Sequence, residues 1–159
     1  MNDSDKRDIF SELEQKIGLI IAETPERDLM LTLICELLAE GIPYYDWVGF
    51  YFVDSENPRE LILGPYVGEA TDHVRIKFGW GICGQAAEKE ETFVIQDVRE
   101  QENYLSCSIH VRSEIVVPMF RKETFIGEID IDSHAVGPFT DEDTRFIERL
   151  AEMLSRTFD

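Results

Sequence analysis

Two cysteines stand where a thiol can react. Cys83 lies between glycines in Gly81-Ile82-Cys83-Gly84, at what reads as a helix N-terminus. Unpaired N–H groups and the helix dipole favour an anion there. Cys107 lies in a polar loop before an apolar strand that opens with Glu114. An ordinary thiol, with a pKa of about 8.5, is mostly protonated at neutral pH, and thiolate is the nucleophile, so these surroundings matter. Arg75, Arg112 and His110 are candidate cationic neighbours. Asp130 and Asp132 are two apart in a strand pattern, so they share a face, with Ile129 and Ile131 turned to the core. Crowded carboxylates cannot all ionise cheaply, so one of them should hold its proton more tightly. Two placed thiols with acids nearby point to thiol redox chemistry.

The elements that position these groups follow from pattern and punctuation. Apolar residues recur at helical spacing from Asp5 to about Ile21. Thr24-Pro25-Glu26 is a start signal for a second helix, which runs to about Glu40, is ended by Gly41 and contains Cys35 as a buried structural thiol. Trp47 to Val53 and Glu60 to Val67 read as a strand hairpin, and His73 to Phe78 as a third strand. Ile82 to about Lys89 is a short helix and Phe93 to Gln96 a short strand. Ile115 to Phe120 and Thr124 to Asp132 are strands around the turn Arg121-Lys122-Glu123. Thr140 caps the last helix, with Asp143 as the capping-box acid. The expected fold is α+β: a mainly antiparallel central sheet flanked by N- and C-terminal helices.

Glu114 is the sharpest test of this arrangement. It shares a face with Asp130 and Asp132 only if paired positions on its hairpin sum to an even number. A three-residue turn or a bulge permits Glu114 to pair with Asp132; a two-residue turn puts it on the opposite face. The expectation is that all three acids converge on one pocket. Trp47 and Tyr51, four apart on a strand, share a face as well.

The bulk numbers bound the rest. A chain of 159 residues with 43% hydrophobic residues suits one globular domain, 1–159. Within it, 1–41 form N-terminal helices, 44–133 the sheet and pocket loops, and 140–158 the C-terminal helix. The formal charge of −18, from 33 acidic against 15 basic residues, argues against nucleic acid and anionic membrane as partners. No signal peptide or membrane span is visible, so the expected location is cytoplasmic, where a disulfide is transient and catalytic. His73, His110 and His134 are scattered, and no spacing matches a zinc pattern, so no metal site and no cofactor are expected. Residues 79–84 formally spell GxGxxG, but without the dinucleotide-fold context.

Four segments together resemble the GAF domain: Gly81-Ile82-Cys83-Gly84, Ser113-Glu114-Ile115-Val116-Val117-Pro118, Ile126 to Ser133, and Phe139-Thr140-Asp141-Glu142-Asp143. The resemblance covers about Tyr44 to the C-terminus. Trp47-Val48-Gly49-Phe50-Tyr51, Leu63-Gly64-Pro65-Tyr66 and Val74-Arg75-Ile76 point within it to the free methionine-(R)-sulfoxide reductases. The resemblance implies reduction of free methionine-(R)-sulfoxide to methionine through a cysteine sulfenic acid and an intramolecular disulfide. It implies a thioredoxin-like reductant, and the first helix as a candidate homodimer interface. It further implies Cys107 as the attacking and Cys83 as the resolving cysteine, with Glu114, Asp130 and Asp132 holding the substrate and Trp47 and Tyr51 lining the pocket. Residues alone leave the order of the two thiols open. His73 stands where the family often carries a third cysteine. The alternatives are a non-catalytic small-molecule-sensing GAF domain and a thiol redox sensor.

Overall fold

The computed structural model describes every residue except Asn103, residues 105–108 and Asp159; Cys107 therefore lies outside the described residues. Helix α1 (Asp3–Glu23) opens with a capping box between Asn2 and Asp5, and α2 (Arg27–Gly41) follows. The start of α2 differs from the sequence expectation. Helix α1 runs two residues past its expected end, Thr24 closes it, and Glu26 caps α2 by accepting from the backbone N–H of Asp28 and Leu29 at 3.2 and 2.6 Å.

Six strands follow: β1 (Trp47–Val53), β2 (Glu60–Val67), β3 (Arg75–Lys77), β4 (Phe93–Ile95), β5 (Ser113–Arg121) and β6 (Thr124–Ser133). They form one sheet in the order β3-β2-β1-β6-β5-β4, with each neighbouring pair antiparallel. Helix α3 (Gly81–Lys89) interrupts the strands and α4 (Asp141–Ser155) closes the chain. The α+β reading holds, although only three of the six residues expected in β3 pair. Among the described residues, no helix is long and apolar enough to cross a membrane.

Period-two alternation divides the sheet into two faces. Val48 and Phe50 of β1, Ile115, Val117 and Met119 of β5, and Ile129 and Ile131 of β6 pack under α1, α2 and α4. Full burial of such side chains stabilises by roughly 1.5–3 kcal/mol each. The opposite face carries Trp47, Tyr51 and Val116 and meets Ile82, Cys83, Ala86 and Ala87 of α3. The helical layer is pinned by Lys6, whose Nζ lies 2.6 Å from Asp143 Oδ2 and 2.8 Å from Pro138 O.

The β5–β6 hairpin holds the main surprise. Its turn has two residues, Lys122 and Glu123, between the paired Arg121 and Thr124, with Lys122 at φ 57°. That parity alone would turn Glu114 away from Asp130 and Asp132. Phe120 pairs with Phe125, however, and Met119 with Gly127, so Ile126 is an extra residue. This bulge shifts the register by one, and Glu114 comes opposite Asp132.

Candidate functional site

The α3 face of the sheet carries three cross-strand rows. Trp47, Asp132 and Glu114 form the first, Gly49, Asp130 and Val116 the second, and Tyr51, Glu128 and Pro118 the third. Four carboxylates therefore share one buried face. Glu114 is 4% exposed, Asp130 and Asp132 1% each, and Glu128 0%.

Helix α3 lays Cys83 onto these rows. A sharp turn precedes it, in which Gly79 N donates to Gly84 O at 2.8 Å. A Cβ on Gly84 would stand 2.5 Å from Lys77 O, so the close backbone approach that delivers the helix requires glycine. Cys83 occupies the first turn of α3, where the N-terminal N–H groups favour thiolate. Its Sγ donates toward Glu114 Oε2 at 3.7 Å.

Burial, acting on acids, favours the protonated form. It pushes the Glu128 carboxyl well above the ordinary range, helped by the Asp130 charge and weakly opposed by the Cys83 thiol. It also raises Asp130, against the pull of Glu114 and Cys83. The Cys83 thiol thus lies close to the Glu128 carboxyl without strict hydrogen-bond geometry, since neither Glu128 oxygen has a hydrogen-bond partner among the described residues. Asp130 Oδ1 has none either. Cys35, by contrast, is sealed in the α2 core, where burial drives its thiol up to about 12 and out of reach of redox chemistry.

A narrow pocket of about 10 Å³ opens onto this floor, bordered by Tyr51, His73, Trp80, Cys83, Glu114 and Asp130. Trp47 and Asp132 share the face but do not border it. The Trp47 indole donates to Glu69 O at 3.0 Å and stacks on Tyr66, with ring centroids 5.1 Å apart. A Cβ on Gly49 would stand 2.4 Å from the indole ring, so glycine there makes room for it. The Tyr51 hydroxyl donates to His73 O at 2.8 Å. A larger open groove of about 600 Å³ runs past Glu90, Lys122, Glu148 and Glu152. It is bordered by no thiol, so size does not locate the chemistry.

Two expectations need revision. Arg75 is engaged by acids: its Nη1 is held by Asp54 and Glu60 at 2.7 and 2.8 Å on the edge of the sheet. Glu128 joins the site as well, with the same strand parity as Asp130 and Asp132. Sequence spacing also showed no metal pattern, yet ligand atoms of Cys83, Glu114 and Asp130 all lie within 4.8 Å of one another. They come from three separate elements, which local spacing cannot reveal.

Comparison with known proteins gives consistent likenesses. The GAF domain family matches residues 24–159. The chain is 37% identical to GAF domain-containing protein A of Dictyostelium discoideum, covering 89% of this chain and 87% of that one. It is 32% identical to the free methionine-R-sulfoxide reductase of Escherichia coli, over 95% of this chain and 89% of that one. Among solved structures, it superposes on the free methionine-R-sulfoxide reductase of Neisseria meningitidis in complex with its substrate. The TM-score is 0.91 and the identity 35%, covering 99% of this chain and 93% of that one.

Proposed function

Because the chain belongs to the GAF domain family and is similar along nearly its whole length to free methionine-R-sulfoxide reductases, we propose that it reduces free methionine-R-sulfoxide to methionine. Residues 1–159 act in this as one GAF unit. The observation that carries the reading is the meeting of Cys83, Glu114 and Asp130 in one small buried pocket.

Cys107 thiolate attacks the sulfoxide sulfur while a carboxylic acid protonates the oxygen. Asp130 suits that donor role, since burial keeps its proton on. Methionine leaves and Cys107 becomes a sulfenic acid. Cys83 then attacks the Cys107 sulfur, the S–S bond forms, and water departs. A thioredoxin-like dithiol reopens the disulfide, so two thiol electrons reach the sulfoxide. Glu114, with Asp132 paired beside it, holds the substrate ammonium, and Tyr51 forms the aromatic wall beside its thioether, with Trp47 stacked behind it. Support for Cys107 comes from its described neighbour Tyr104, which packs on the cluster containing Cys83. Three residues of chain span at most about 10 Å, a length that permits Cys107 to reach the pocket. The α1 helix remains the candidate surface for a homodimer.

The test is incubation with dithiothreitol and racemic free methionine sulfoxide. Methionine should appear until the R epimer, half of the substrate, is consumed, and Cys107→Ser should abolish it. Saturable binding without methionine formation would make the chain a sensor instead.

A further inference from the structure

We propose that the floor of this pocket is also a binding site for zinc, with Cys83, Glu114 and Asp130 as its protein ligands and reversible inhibition as the consequence. Zinc takes a thiolate at about 2.3 Å and carboxylate oxygen at about 2.0–2.2 Å in a tetrahedron, which sets a sulfur–oxygen separation of about 3.5 Å. Cys83 Sγ and Glu114 Oε2 stand 3.7 Å apart, and the Asp130 oxygen completes a set lying within 4.8 Å. Small rotations of the two acids close the remaining gap.

The donor set selects the ion. One sulfur and two carboxylates in a cramped, buried site suit a small borderline-soft cation. Calcium and magnesium favour all-oxygen coordination, and the thiolate disfavours them here. Two further observations point to a cation. Asp130 Oδ1 and both Glu128 oxygens are buried without a hydrogen-bond partner among the described residues. Glu128 lies beside the Cys83 thiol, so one of its oxygens can serve as fourth ligand or accept from a zinc-bound water. The chain charge of −18 draws cations in general, and the thiol makes this position specific among them.

Zinc and the sulfoxide would occupy the same acids. Zinc bound to Cys83 also removes the thiol proposed to close the disulfide. Zinc therefore raises KM for free methionine sulfoxide by occupying the pocket, and a chelator restores activity. Binding is read without substrate, so failure of the zinc site and failure of the reductase reading are separate results.

The experiment titrates reduced protein with zinc against a competing chelator, and in parallel with cadmium, whose thiolate complexes absorb in the ultraviolet. The expected result is one zinc per chain and one cadmium–thiolate band. Cys83→Ser should abolish the band, and Asp130→Asn and Glu114→Gln should each weaken zinc by about 10–100-fold or more. Cys35→Ser should leave binding unchanged. Circular dichroism of each variant verifies that the fold is kept, and Glu114→Gln serves as a second probe should Cys83→Ser fail to fold. A band that survives Cys83→Ser, zinc affinity indifferent to both acid variants, or bound zinc that leaves turnover untouched would overturn the assignment.

Discussion

Glu114 and Asp132 stand directly opposite each other on β5 and β6, and the extra residue Ile126 puts them there. Without the bulge, the two-residue turn would send Glu114 into the helical core. With it, Glu114 reaches the Cys83 thiol. Replacing Glu114 by Gln keeps the shape and removes the charge. A hydrogen bond to a charged group contributes about 1.5–3 kcal/mol, so kcat/KM for free methionine sulfoxide should fall about 10–100-fold. Steady-state kinetics with a thiol reductant measures this, and an unchanged kcat/KM would remove Glu114 from substrate binding.

Glu128 gives a stability prediction with a definite sign. In the unfolded chain it loses its proton near pH ~4.3. In the fold, burial holds the proton to higher pH, and Asp130 shifts in the same direction. Between the two values the folded state binds more protons, so stability present below the unfolded value is lost as pH rises through the folded one. Glu128→Gln removes its share of that loss. The variant should be more stable than the parent at about pH 8, by roughly 1–3 kcal/mol, and the advantage should shrink toward pH ~4. Urea denaturation at both ends of that range decides it; an advantage independent of pH would mean that Glu128 does not titrate as argued.

Much of this arrangement was legible in local sequence. The pairing of Thr140 with Asp143 marked the start of α4, and the capping box is there. The spacing of Asp130 and Asp132 put them on one face, because strand alternation is a local property. The facing of Glu114 was not legible. It depends on one unpaired residue, and neither the propensity nor the polarity of Ile126 distinguishes it from its neighbours. The Cys83 surroundings were half legible: the glycines marked the helix start, but its acidic neighbours arrive from β5 and β6. Glu128 looked like one more charge in an acidic chain, since only burial makes it unusual. Thr24-Pro25 misled because it follows one helix as well as preceding another.

Asp143 carries more than a cap. It accepts from Lys6 Nζ at 2.6 Å, Tyr44 Oη at 2.7 Å, Tyr45 Oη at 2.9 Å and the Thr140 N–H at 2.8 Å. Asp143→Ala strands a buried ammonium and two phenols together. Removing one partner of a buried ion pair costs about 3–5 kcal/mol. The urea midpoint should drop accordingly, while KM of the remaining folded enzyme stays within about twofold, because Asp143 packs on the face opposite the pocket. A loss below about 1 kcal/mol would show that water takes over the partners.

The order of the thiols can be read from a single turnover. Without external reductant, each reduced chain should release one methionine and end with Cys83 linked to Cys107, seen as a disulfide-joined peptide by mass spectrometry. If Cys107 attacks, Cys83→Ser still releases one methionine per chain but stops at a sulfenic acid, which a sulfenic-acid-specific probe labels at residue 107. Cys107→Ser then releases none. The opposite pattern, with release by Cys107→Ser and none by Cys83→Ser, would make Cys83 the nucleophile. The structure gives that alternative a physical cost. Cys83 is ringed by Glu114, Glu128 and Asp130, and burial among acids opposes thiolate while the α3 N-terminus favours it. A resolving thiol in such a place attacks only when the sulfenic acid is held against it, which protects Cys83 from oxidants between turnovers. Peroxide should therefore modify residue 107 before residue 83.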